Sequence, residues 1–270
     1  MSEQTFTYRD NELNLDEAYY YALLVKVEGN TFSYAITYKS KLMAYEESCP
    51  LHELTNPLQL QELLGAGYNK TVIGLPATGF SLIPTAIFNR EHLTELAHLL
   101  DVKEHEKVLA QVLDENNYIV YKVENKLLEG LSKYDFKNIT FGGKGLIKAL
   151  YKSNPLNNQL FINLETNKVE LVYFKDYKVR FYNSFEYNNA NDVAYYAVMV
   201  AKELELQPVA VELIISGKTT ADDEIQTALS GFFTSIMQNV IHPLDIPEQL
   251  AAHQLLSLTS LSLCELSEAL

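Results

Sequence analysis

The apolar positions of this chain fall into short runs punctuated by turn residues, broken at intervals by stripes with helical spacing. From Tyr19 the run Tyr-Tyr-Tyr-Ala-Leu-Leu-Val-Lys-Val is rich in aromatic and β-branched residues and ends at Glu28-Gly29-Asn30, which reads as a strand and a tight turn. Thr31 to Tyr38 continues as a second strand, Lys39-Ser40-Lys41 turns the chain again, and Leu42 to Tyr45 starts a third. A three-stranded meander therefore opens the fold. Pro57 stands where a first helical turn tolerates it, and Leu58, Leu60, Leu63 and Leu64 form a helical stripe closed by Gly65 and Gly67. Thr71 to Leu75 reads as a buried strand, Phe80-Ser81-Leu82-Ile83-Pro84 follows a turn, and a helix is expected from about Glu91 to Leu100.

The same order returns further on. Gln159 to Leu164 is an apolar strand, Glu165-Thr166-Asn167-Lys168 a turn, Val169 to Phe174 the partner strand, and Val179 to Phe185 a third. Asn191 or Asp192 is the expected N-cap of a helix through Leu204, with Val193, Tyr196, Ala197, Val200 and Leu204 on one face. Val209 to Ile215 is then a strand closed by Ser216-Gly217, and Glu224 to Gln238 a helix. Sliding the sequence by 137 positions lays Leu23 on Leu160, Val25 on Ile162, Val27 on Leu164, Glu28 on Glu165 and Asn30 on Asn167. The pattern implies a duplicated βββαβα unit in an α/β protein. One lobe is expected over residues 15–145, including a connection from Lys107 to Ser153 with a strand at Tyr118 to Val123. The second lobe is expected over 146–270, with a cleft between the two.

Composition narrows the class without changing that outline. Of 270 residues, 47% are hydrophobic and 21% charged, ordinary globular values for a chain long enough to bury a core without metal or disulfide staples. The 35 acids against 21 bases give a net charge of -14, split evenly: 20 acids and 13 bases up to Gly145, then 15 and 8. A surface this acidic repels phosphate backbones and anionic lipid, so nucleic acid and membrane surfaces are not expected as partners. Cys49 and Cys264 are too few for a disulfide framework, which fits a cytoplasmic setting. Met1 to Asp16 lacks the apolar core of a secretory signal, and no stretch reaches the roughly 18 apolar residues of a spanning helix.

The segment Phe80-Ser81-Leu82-Ile83-Pro84 with Ile87-Phe88 is one half of a wider likeness. The other is Phe181-Tyr182-Asn183-Ser184-Phe185-Glu186-Tyr187 with Asp192 and Tyr195-Tyr196. Together with the meanders, the chain resembles a bacterial family described by its actin-like ATPase fold, within the superfamily of actin, sugar kinases and heat-shock chaperones. The resemblance spans about residues 15 to 265. It implies two ribonuclease-H-like lobes, with ATP held between them by the first hairpin turn of each. In that superfamily glycines and hydroxyls of these turns bring backbone N–H groups to the phosphates, and an aspartate near the end of each first strand holds hydrated magnesium.

Carried onto this sequence, those positions are Lys26 with Glu28-Gly29-Asn30, and Asn163 with Glu165-Thr166-Asn167. Both aspartates are absent, and Glu28 and Glu165 bring negative charge toward a triphosphate. Such a contact at about 4 Å and an effective dielectric near 20 costs on the order of 4 kcal/mol. The double glycine that follows the fourth strand of the second lobe in the superfamily is here the single Gly217 of Ser216-Gly217-Lys218.

Other constellations have plainer readings. Phe141-Gly142-Gly143-Lys144-Gly145 lacks P-loop spacing and is expected to be a flexible connection. Cys49 near His52 is expected to be structural, and His92, His98 and His105 lack the i, i+4 spacing that clamps a metal. Asp222-Asp223-Glu224 suits the start of a helix. Tyr19, Tyr20, Tyr21, Tyr182, Tyr187, Tyr195 and Tyr196 suit packing and interfaces. The leucine-rich stretch from Leu250 to Leu270 is expected to pack on the second lobe or meet a partner. Two functions follow: a non-catalytic actin-like adaptor without cofactor or metal, whose partner is another protein or a second copy in a homodimer; or an ATPase or phosphotransferase with an unorthodox site.

Overall fold

A computed structural model describes residues 7–135, 138–219 and 223–264. The chain divides into two compact units: Met1–Leu146 with Pro243–Pro247 and Leu258–Leu270, and Ile147–His242 with Glu248–Ser257.

The first unit contains strands β1 (Tyr8–Arg9), β2 (Ala22–Glu28), β3 (Thr31–Tyr38) and β4 (Lys41–Pro50), helices α1 (Leu51–Thr55) and α2 (Gln61–Gly65), and strand β5 (Lys70–Leu75). There follow β6 (Gly79–Pro84), α3 (Leu93–His98), β7 (Glu106–Val112), β8 (Asn117–Glu124), α4 (Asn125–Gly130) and β9 (Ile139–Phe141). Helix α5 (Gly143–Lys152) runs across the boundary between the units. The main sheet has the order β1-β4-β3-β2-β5-β9; β6, β8 and β7 make a separate three-stranded sheet. Strand β2 pairs antiparallel with β3 and parallel with β5, and its Leu23, Leu24, Val25 and Val27 are buried on both faces.

The second unit contains β10 (Gln159–Leu164), β11 (Lys168–Lys175), β12 (Lys178–Glu186), α6 (Ala190–Glu203), β13 (Glu212–Gly217), α7 (Glu224–Ser230) and β14 (Ser235–Gln238); α8 (Leu256–Thr259), near the end of the described chain, is divided between the units after Ser257. Its sheet order, β12-β11-β10-β13-β14, repeats the order β4-β3-β2-β5-β9 of the first. Helix α6 lays Val193, Ala194, Ala197, Val200 and Ala201 on a core of Leu160, Ile162, Leu164, Leu171, Leu213 and Ile215.

Several elements differ from expectation for local reasons. Tyr19 and Tyr20 belong to a 3-10 turn over Leu15–Tyr20, capped by the Asn14 side chain, and the strand begins only at Ala22. Asn189, not Asn191 or Asp192, caps α6, its side chain accepting from the N–H groups of both. The helix expected to Gln238 stops at Ser230, and Ser235–Gln238 pairs parallel with β13 as β14 instead. The segment Phe141 to Gly145 is not a flexible connection. Gly142 N–H donates to Leu75 O at 2.8 Å, and a Cβ on Gly145 would meet the Ser260 backbone at 2.7 Å, so these glycines admit close backbone packing. The 3-10 turn Ser260–Leu263 packs on β2 and β5 of the first unit, with Lys70 Nζ donating to Cys264 O at 2.6 Å. The stretch to Ser257 groups with the second unit, and residues 265–270 lie outside those described.

Two buried polar contacts hold the first unit's parts together. The Gln111 amide on β7 acts as a missing strand for β9: its Nε2 donates to Ile139 O at 2.9 Å, and its Oε1 accepts from Phe141 N–H at 3.0 Å and the Thr140 hydroxyl at 3.1 Å. Lys122 on β8 passes over Gly79, where a Cβ would stand 2.8 Å from its Cε, to reach Glu106 at 2.9 Å and Asp101 O at 3.1 Å. Burial raises the Glu106 carboxyl, but the Thr78 hydroxyl, the Lys103 N–H and the Lys122 ammonium outweigh it and bring it down to about 2.

Gln111→Leu leaves Ile139 O, Phe141 N–H and the Thr140 hydroxyl without that partner, and should lower the urea unfolding free energy by about 2 to 4 kcal/mol. Because the folded Glu106 carboxyl lies below the ordinary 4.5, its contribution is complete above that value and is lost as pH falls toward about 2. Unfolding free energies measured from pH 6 downward should therefore decline through this window, and Glu106→Gln should flatten the decline.

Candidate functional site

Each sheet places a polar residue near the end of its central strand, beside the first hairpin. In the first unit that residue is Lys26, whose ammonium lies 2.7 Å from Glu28 Oε1. Glu28 and Thr31 face each other across the turn, and Gly29 takes φ +57° at its first central position, the geometry of a type II′ turn. The Thr31 hydroxyl donates to Glu28 O at 3.1 Å, and Asn30 O accepts the Leu51 N–H at 2.9 Å, tying the turn to the start of α1. Lys26 and Glu28 thus pair with each other, and the hairpin tip carries less negative charge than Glu28 alone would give it.

In the second unit the residue is Asn163, 2% exposed at the end of β10. Its Nδ2 lies 3.0 Å from Glu165 Oε1, 2.8 Å from Glu170 Oε2 and 2.8 Å from Ser257 Oγ, so two N–H groups are shared among three oxygens. Its Oδ1 accepts the Ser216 hydroxyl at 3.2 Å, and the Ser257 hydroxyl donates to Glu165 at 3.2 Å. Tyr182 donates to Glu170 Oε1 at 2.6 Å; burial, then the Glu170 charge, push the Tyr182 hydroxyl well above its ordinary value and keep it a donor. An amide is what this position requires, because it donates to two carboxylates that an aspartate would repel.

The turn itself is fixed from several sides. Glu165 N–H donates to Lys168 O at 2.8 Å, the Tyr187 hydroxyl to Glu165 O at 2.8 Å, the Tyr187 N–H to Asn167 O at 3.0 Å, and Lys218 Nζ to the Thr166 hydroxyl at 3.3 Å. Gly217 lies opposite Leu164 at the end of the parallel β10–β13 pair with φ +88°, and a Cβ there would fall 2.0 Å from Leu164 O. No other residue fits. Beyond it, Thr219 O accepts from Gln254 Nε2 at 3.3 Å and lies 3.2 Å from His253 Nε2.

Of the expected positions, the structure brings Glu165, Thr166, Asn167 and Gly217 to one end of the second unit's sheet, and Glu28, Gly29 and Asn30 to the corresponding end of the first. Sequence reasoning missed Glu170, Tyr182, Ser216 and Ser257 as members of the second cluster. The signal for Glu170 was present: a lone acid inside Val169-Glu170-Leu171-Val172 calls for a buried partner. Ser257 carries no local signal. The remaining candidates sit apart. Cys49 is buried, and burial with the Glu46 charge pushes its thiol up to about 12, which makes it inert. His92, His98 and His105 are exposed, His92 lying 3.0 Å from Glu95. Asp223 caps α7, while Asp222 lies outside the described residues. Tyr19, Tyr20 and Tyr195 are exposed, Tyr21 and Tyr182 buried, and Tyr196 stacks on Phe185 at 4.5 Å.

Asn163→Asp would set a third carboxylate against Glu165 and Glu170. It should destabilise the fold by about 2 to 4 kcal/mol at neutral pH, and the loss should shrink when urea unfolding is repeated at pH values where carboxylates protonate.

A family model described as "Protein of unknown function (DUF3822)" matches residues 10–236. A solved Bacteroides thetaiotaomicron protein with an actin-like ATPase fold and unknown function superposes with a TM-score of 0.77 at 20% identity, over 94% of this chain and 100% of that one. A chain of a PilM-PilN type IV pilus biogenesis complex superposes with a TM-score of 0.57 at 10% identity, over 90% and 97%. No curated protein matches the chain by sequence. The fold is thus that of the actin-like ATPases, and the chain belongs to the DUF3822 family.

Proposed function

We propose that this protein is a non-catalytic actin-like adaptor or scaffold that binds another protein and whose nucleotide site is degenerate. The observation that carries the reading is the Lys26–Glu28 pair, 2.7 Å apart, at the strand end where the superfamily's first magnesium-holding aspartate is expected. A cation there disfavours a second cation. Asn163, at the corresponding strand end of the second unit, turns its amide toward Glu165, Glu170 and Ser257. The residues present therefore do not fit a magnesium triphosphate, and no reaction step is assigned to them. The PilM-PilN pilus biogenesis complex supports the adaptor half, since a chain of this fold takes part there in a protein assembly. An exposed aromatic surface is available for such contacts at Tyr195, 63% exposed and packed edge-on against Tyr196.

Thermal melting with Mg-ATP tests the first half. A ligand at a hundred times its Kd adds about 2.7 kcal/mol, or about 5 to 10 °C for a chain of this size. The expected result is no shift up to millimolar nucleotide and no phosphate release; a clear shift sinks the degenerate-site reading and establishes nucleotide binding instead. For the second half, affinity capture from bacterial lysate should retain a specific partner that Tyr195→Ala loses. Capture of nothing beyond background would count against an adaptor.

A further inference from the structure

The five-stranded sheet of the second unit ends on β12 at one side and β14 at the other. Strand β12 carries Lys178, Arg180 and Glu186 and a register shift opposite Tyr173 and Phe174, devices that keep an edge from pairing with another chain. The first unit's edges are managed too: β1 has two residues, β7 opens on Glu106-Lys107, β6 ends in Pro84, and β9 is met by the Gln111 amide. Strand β14 is bare. From Ile225 to Leu244 there is no Asp, Glu, Lys or Arg, in a protein with 21% charged residues, and β14 lies in the middle of that run. Among the described residues β14 pairs with β13 alone. Its surroundings are apolar and open: Phe232 is 52% exposed, Met237 45% and Val240 84%, with Val209, 66% exposed, on the turn whose carbonyl accepts the Thr234 hydroxyl.

We propose that β14 is the seam of a homodimer, in which the β14 strands of two copies pair antiparallel about a two-fold axis and join two five-stranded sheets into one. The occupant is a second copy because of the charge pattern. Across a two-fold axis the residue on the axis faces its own copy and the residues beside it lie close to theirs, so a charge there meets a like charge. Chains at -14 repel one another elsewhere, and a seam free of charge is what self-pairing demands. The pleat fixes the register further. Opposed residues must share a face, so the axis passes through a residue and not between two. With the axis at Met237, the exposed apolar residue within β14, Ile236 stands opposite Gln238 and Ser235 opposite Asn239. The inference stands independently of whether a nucleotide binds.

Sedimentation equilibrium on the full chain tests it. Wild type should sediment at twice the chain mass. Met237→Lys, which sets two ammonium groups against each other on an exposed position, should sediment as a monomer that keeps the wild-type circular-dichroism spectrum, its melt lowered only by the loss of the partner. Met237→Cys should become almost wholly a disulfide-linked dimer under mild oxidation, while Tyr151→Cys, on a position 51% exposed, should not; the native thiols Cys49 and Cys264 are buried. If Met237→Lys fails to fold, the cross-linking contrast decides. A wild-type monomer up to millimolar protein, which would leave the edge to another protein's strand, overturns the proposal. So does a dimer that survives Met237→Lys, or one that Met237→Cys does not cross-link.

Discussion

Burial of a central strand on both faces is the constraint from which most of this structure follows. Strands β2 and β10 each pair antiparallel with the next strand and parallel with a later one, and because their side chains are also buried on both faces of the sheet they meet water only at their ends. Nearly every residue along them must be apolar, as Leu23 to Val25 and Leu160 to Ile162 are. A polar residue near the end of such a strand is stable only if the fold supplies its partner. Lys26 has Glu28, two residues on and on the same face. Asn163 has Glu165 at the same spacing, with Glu170 across the ladder on β11. The same alternation that sends a side chain to one face brings both acids within reach.

The backbone at these ends is constrained just as tightly. Gly217 closes against Leu164 with no room for a Cβ, and Gly29 adopts a positive φ with open space around it. The two glycines therefore answer different demands. One lets two strands approach, and the other lets the chain reverse with the twist that a right-handed hairpin needs. A tight hairpin accounts for the second demand fully.

What the sequence made legible follows the same division. β10 lies over the expected Gln159 to Leu164 because a doubly buried strand is written as an unbroken apolar run. The end of α7 was not legible, since Glu224 to Gln238 has helical spacing throughout and only tertiary pairing with β13 draws Ser235–Gln238 into the sheet. β7 was hidden because Glu106 to Val112 mixes charged and apolar residues without clean alternation, and its most consequential residue, Gln111, acts through partners 28 to 30 positions away. Ser257, 94 positions from Asn163, was unreadable for the same reason. The hairpin residues were found because they are local; their partners were not, because a buried amide recruits whatever the fold brings near.

That distinction bears on how a strand end in this fold can change its role. A strand-end aspartate is stable while it faces a cation, and without one it is a charge beside other carboxylates. Asparagine at 163 carries no charge and offers a donor, which makes Glu165 and Glu170 its hydrogen-bond partners. Lysine at 26 goes further and carries its own positive charge to Glu28. Both arrangements satisfy buried polar groups with the chain's own atoms. The order of the two hairpins is supplied from within, by the Lys26–Glu28 pair in one and the contacts of Asn163 in the other.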